Sequence, residues 1–150
     1  MSLLSTTYVP MLKEFYKGVW VHLHQLLKEW HSIFKDLKVI VGPIYEKSYD
    51  VPSHVIGNVD KVKIPSHFFM IILRCKVKQG GSCEDFTPLS FILPHRMDVT
   101  NCQNYNEYLT DNEARIRDIE LMTGFEFFHN LKVEKALELR TFLPNGLWTL

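Results

Sequence analysis

Residues Pro65 to Val77 read Pro-Ser-His-Phe-Phe-Met-Ile-Ile-Leu-Arg-Cys-Lys-Val, with six consecutive apolar residues from Phe68 to Leu73. A run this short and this apolar fits a strand buried on both faces, at the centre of a sheet. A buried helix segment is the competing reading. The aromatic and β-branched residues Phe68, Phe69, Ile71 and Ile72 favour the strand, as do Pro65 before it and Gly80-Gly81 after it. With 150 residues, 46% of them hydrophobic, the chain has enough apolar mass for one core. It reads as a single domain, 1–150, with no internal repeat or low-complexity segment.

Ahead of this strand, Leu12, Phe15, Val19, Leu23, Leu26, Trp30, Ile33 and Leu37 recur every three or four residues. That stripe predicts one long amphipathic helix from Pro10 to Leu37, with Pro10 in its first turn. Tyr16, Trp20, Leu27 and Phe34 widen the stripe, as expected for a helix laid across a sheet. His22 and His24 point about 200° apart around such a helix, and His24 and His31 lie about 10 Å apart along it, so neither pair shares a metal ion unaided. All three read as surface or packing histidines.

Lys38 to Val41 predicts a short strand ended by Gly42-Pro43, and Ile44 to Ile64 is irregular. After the core strand, Lys78 to Thr87 reads as a polar excursion, and Leu89 to Leu93 as a second buried strand stopped by Pro94; the two strands suggest a hairpin. Met97 to Tyr108 is loop-like. Thr110-Asp111-Asn112-Glu113 has the spacing of a capping box and predicts a helix start. That helix would turn Ile116, Ile119 and Met122 inward and stop at Gly124. Phe125, Phe127 and Phe128 form an aromatic plug, Val133 to Arg140 predicts a short final helix, and Phe142 to Leu150 trails away.

Charge excludes one class of function. Net charge is zero, with nine basic and six acidic residues in the first 75 and eight against eleven in the last 75. That split lacks the concentrated basic face of a nucleic-acid binder, so nucleic acid is not an expected partner. No apolar stretch reaches the roughly 18 residues of a membrane span, and the N-terminus lacks the pattern of a signal peptide.

Six ordered blocks carry a resemblance. They are Val9-Pro10-Met11 with Phe15 and Trp20; Val41-Gly42-Pro43-Ile44-Tyr45; Pro65 to Phe69; Phe91-Ile92-Leu93-Pro94-His95-Arg96; Ala114 to Glu120; and Thr123-Gly124. Together they resemble the C-terminal nuclease-like domain of the ectonucleotide pyrophosphatase/phosphodiesterases, within the DNA/RNA non-specific endonuclease superfamily. The resemblance runs from about Thr6 to Pro144 and implies an α+β fold. The form it implies is a partial ββα-metal domain, mainly antiparallel sheet packed against a long N-terminal helix and shorter C-terminal helices. It implies an extracellular or cell-surface setting.

What the resemblance implies about chemistry is largely a loss. The family's zinc phosphodiesterase domain has no counterpart in the 150 residues, nor has the N-terminal half of the nuclease-like domain, where true nucleases carry an Asp-Arg-Gly-His base segment. Where those nucleases place a magnesium-binding asparagine between Phe15 and Trp20, this chain has Tyr16, a poor ligand for a hard cation. No catalytic residue is therefore assigned. His67 and His95, at the ends of the core strands, read as hydrogen-bonding residues, and Arg96 as an attraction for phosphate without an activated nucleophile. A non-catalytic structural or interaction module is expected, with a metal-dependent phosphodiester hydrolase as the alternative. Its expected partner is a phosphodiesterase catalytic domain, or a second copy through uncovered apolar sheet surface.

Two site expectations complete the resemblance. The family's acidic calcium loop after Gly42-Pro43 reads here Glu46, Ser48 and Asp50, with Lys47 inserting positive charge, Val51 where glycine is needed and His54 at a later aspartate position. That degenerate set predicts an ordinary solvated loop, with weak calcium binding as the alternative, and no cofactor is otherwise expected. The cysteines number three, an odd count. The resemblance implies a Cys75–Cys83 disulfide and leaves Cys102, whose family counterpart bonds to the phosphodiesterase domain, as a free thiol. Three reduced thiols in a reducing compartment are the other possibility.

Overall fold

A computed structural model of the protein describes residues 9–45, 55–56, 62–79, 81–97 and 103–149. Its centre is an antiparallel sheet in the order β1-β4-β5, formed by β1 (Leu37–Ile44), β4 (His67–Gln79) and β5 (Ser82–Pro94). The small strands β2 (Val55–Ile56) and β3 (Val62–Lys63) pair separately. The helices are α1 (Lys13–Phe15), α2 (Val21–Phe34), α3 (Tyr105–Asp111), α4 (Ile116–Thr123) and α5 (Val133–Thr141), and a π-helical turn, Tyr16–Trp20, joins the first two.

The central strand is the one the apolar run predicts, and both of its faces are covered. Successive side chains on a strand point to opposite faces. Phe68, Met70 and Ile72 join Leu89, Phe91 and Leu93 against Phe15, Val19, Trp20, Leu23 and Trp30 of the N-terminal helical stretch. Phe69, Ile71 and Leu73 face the other way and pack with Ile44, Ile116 and Ile119. Two apolar layers therefore sandwich one strand, which explains why β4 shows no hydrophobic alternation.

Several expected boundaries move. The N-terminal helix is not continuous to Leu37: Gly18, at φ −90° and ψ −113°, breaks the α geometry, and the helix ends at Phe34. β1 does not stop at Gly42-Pro43 but runs through both to Ile44, pairing Gly42 with Phe69 and Pro43 with Phe68. Proline is tolerated because β1 lies at the sheet edge, where its missing N–H breaks no ladder. The stretch from Lys78 is not a loose excursion, since β4 and β5 pair from His67↔Pro94 to Gln79↔Ser82, with irregularities near Val77.

The expected capping box at Thr110 does not form. α3 spans that position, its N-terminus capped by Asn104, whose side chain accepts from the Glu107 N–H at 2.9 Å. The Thr110 hydroxyl instead donates to the Asn106 carbonyl at 3.0 Å. The helix carrying Ile116 and Ile119 begins after Arg115, where Asp118 accepts from the Arg115 backbone N–H at 3.2 Å and from its guanidinium. It ends at Gly124, in the left-handed conformation at φ +78°, as expected. Met122 is 41% exposed and not turned inward.

The C-terminal segment is anchored. Trp148 packs edge-on against Trp30 and Phe34, and the Trp30 indole N–H donates to the Trp148 carbonyl at 3.1 Å.

Candidate functional site

The end of the hairpin bearing His67, His95 and Arg96 abuts the N-terminal helical stretch. His95 is buried, and both ring nitrogens are engaged by backbone. The Leu12 N–H donates to Nε2 at 2.8 Å, so Nδ1 carries the proton and donates to the Pro65 carbonyl at 2.9 Å. The ring stands edge-on to Phe68 and Phe15, with centroids 5.0 and 5.2 Å away. A histidine held this way has its basic lone pair occupied. It ties the start of α1 to the segment before β4.

Tyr16 sits on the π-helical turn and is 53% exposed, while its neighbour Phe15 is fully buried beside His95. His67 Nδ1 lies 2.9 Å from the Ser66 hydroxyl, and Arg96 is exposed near Tyr108, whose hydroxyl is pushed above its ordinary pKa by burial and pulled back by the Arg96 charge. Among the described residues no group of three or more His, Cys, Asp or Glu side chains is placed to hold a metal ion. Of the helix histidines, His22 donates through Nε2 to the Asn106 side chain at 2.7 Å and His24 through Nδ1 to the Trp20 carbonyl at 2.8 Å. Both have packing roles.

At the opposite end of the hairpin, Cys75 and Cys83 form a disulfide, with Cα atoms 5.8 Å apart. Beyond it Asp85 accepts from Lys135 of α5 at 3.1 Å, and that hydrogen bond holds its carboxyl below the ordinary aspartate range. The calcium-loop residues Glu46, Ser48 and Asp50, and the thiol Cys102, lie outside the described residues.

Two carboxylates, Glu120 behind the sheet and Glu113 beside β5, make connections that local spacing does not show. Glu120, 3% exposed, accepts from the Phe127 N–H at 2.8 Å, from Arg140 at 2.9 Å and from Arg117 at 3.1 Å. Arg140 also donates to the Phe127 carbonyl, so one ionic centre joins α4, the aromatic connection and α5. Glu120 follows Ile119 on the inward side of a predicted helix, which was the available signal. Glu113 bridges to Phe91 of β5 and accepts from the Gly146 N–H at 3.0 Å, while its other oxygen is buried with no hydrogen-bond partner among the described residues.

An antiparallel hairpin packed under an interrupted helix, with a second layer of short helices behind it, defines a nuclease-like α+β domain. The chain matches the crystal structure of the EndoG/EndoGI complex with a TM-score of 0.66 at 19% identity, covering 85% of this chain and 50% of that one. The DNA/RNA non-specific endonuclease profile matches residues 5–134, and the chain belongs to that family. Its similarity extends to the nuclease-like region of the ectonucleotide pyrophosphatase/phosphodiesterases. It is 34% identical to venom phosphodiesterase of Naja atra, 33% to ectonucleotide pyrophosphatase/phosphodiesterase family member 3 of Mus musculus and 32% to family member 1 of Homo sapiens, over 95% of this chain each time. The chain spans only 20%, 18% and 18% of those relatives. No helix among the described residues is long and apolar enough to cross a membrane.

Proposed function

We propose that this nuclease-like domain is non-catalytic and serves as a structural and interaction module for a phosphodiesterase catalytic domain outside the cell. The state of His95 carries the reading. Hydrolysis of a phosphodiester needs a base to activate water and a cation to stabilise charge on the phosphate. In this domain the buried histidine nearest the N-terminal helix has its lone pair committed to the Leu12 N–H. The position that the family resemblance assigns to a magnesium ligand holds Tyr16. The names of the relatives, venom phosphodiesterase and ectonucleotide pyrophosphatase/phosphodiesterase, support the partner and the compartment, as does the disulfide.

The test is digestion of supercoiled plasmid and of RNA by the purified chain with magnesium or manganese, beside His67→Ala and His95→Ala. No cleavage is expected from any of the three. Metal-dependent cleavage that disappears in either variant overturns the reading in favour of a hydrolase. Docking is checked separately, by gel filtration of the chain mixed with the phosphodiesterase domain of a venom relative; a joint peak is expected, and independent elution removes the interaction role.

A further inference from the structure

The face of the sheet opposite the long helix carries a cavity of about 310 Å³. Its floor is apolar: Leu73 and Leu139 lie within it, nearly buried, with Phe86 and Phe128 beside them. Its polar lining is of another kind. Lys38 on the edge strand β1 has its ammonium 4.8 Å above the Phe86 ring, and His129 and Asn130 stand on the connection into α5. Among the described residues no carboxylate lines the cavity. Lys38 forms no ion pair with a carboxylate of the described residues, although its ammonium offers three donors.

The size falls at the lower end of the range for small-molecule pockets, and an apolar floor with a few converging polar groups is the usual construction of such sites. We propose that this cavity binds a small amphipathic carboxylate, an aryl body with one terminal carboxylate. The aryl group lies on Leu73, Phe86, Phe128 and Leu139, and the carboxylate takes the Lys38 ammonium at the mouth. Charge complementarity selects this occupant over a neutral apolar one. The site shares no residue with the hairpin end that bears His67, His95 and Arg96.

The experiment is a two-dimensional 15N NMR titration of the full chain with 1-naphthoate and, in parallel, with the neutral 1-naphthalenemethanol. Naphthoate is expected to give saturable shifts at Lys38, Leu73 and the 128–131 segment, with the alcohol binding more weakly at the same place. Lys38→Met keeps the aliphatic stem on an exposed position and is expected to weaken naphthoate about fivefold while leaving the alcohol unchanged. Three results each overturn the proposal: shifts that map elsewhere, no saturable shifts at millimolar ligand, or naphthoate binding that Lys38→Met leaves intact.

Discussion

Replacing Glu120 with leucine tests whether the ionic centre behind the sheet holds the far layer together. The substitution puts an apolar side chain of similar size in its place and removes the acceptor for three donors. Arg117 is half exposed and regains water at little cost. The Phe127 N–H and Arg140, whose side chain is only 19% exposed, do not. An orphaned buried N–H costs about 1–3 kcal/mol, and a broken buried ion pair costs about 3–5 kcal/mol in total. Arg140 retains the Phe127 carbonyl as a partner, which places the expected loss at the lower end, about 3 kcal/mol. For a chain of this length that is a fall in melting temperature of about 6–12 °C. Thermal unfolding followed by circular dichroism reads it directly. The double variant Glu120→Leu with Arg140→Leu removes the uncompensated charge and should recover part of the loss, giving a favourable coupling between the two sites. A single variant that unfolds within about 1 kcal/mol of the parent refutes the reasoning, because it shows the centre is solvated rather than buried.

Three further outcomes follow from the same geometry. Gly42→Ala would set a Cβ 2.8 and 2.9 Å from ring carbons of the buried Phe69, and chemical denaturation should show a loss of about 1–3 kcal/mol, as for other overpacked cores. Glu113 has its pKa raised by burial above the ordinary 4.5, so its charged form weakens the fold; Glu113→Gln should raise stability at pH 7, with the advantage shrinking as pH falls through the raised folded value and lost below 4.5, where the carboxyl is protonated in both the folded and the unfolded chain. Cys75→Ser with Cys83→Ser should lower stability by about 2.5 kcal/mol, the chain-entropy value for so short a loop, and thiol titration of the native chain should count Cys102 alone.

The layers of this fold were legible because each had its own periodicity. Six unbroken apolar residues meant a strand with two covered faces, and a three-or-four spacing from Leu12 to Trp30 meant the helix above it. Boundaries were less legible where local chemistry competed with sheet pairing. Gly42-Pro43 has the composition of a strand terminator, yet at an edge the proline breaks no ladder and the glycine makes room for Phe69. Thr110 to Glu113 has the spacing of a capping box, yet Asn104 starts a helix six residues earlier and Glu113 is drawn away to β5 and Gly146. A cap is decided by where its helix begins, which short motifs do not encode alone.

The candidate site was legible in its residues and illegible in its connections. His95 stands out as a histidine at a strand end, where a base and a packing residue look identical in sequence. Its two partners are backbone groups 83 and 30 positions away, and only the folded chain brings them to opposite edges of one ring. Glu120 is similar: its acceptor role depends on an N–H seven residues on and a guanidinium from the next helix. His95 and Glu120 are thus both engaged in fastening one segment to another, His95 joining the N-terminal helical stretch to the sheet and Glu120 joining the two helices behind it. That engagement, together with Tyr16 where the family resemblance expects a magnesium ligand, supports the proposed interaction module over a hydrolase.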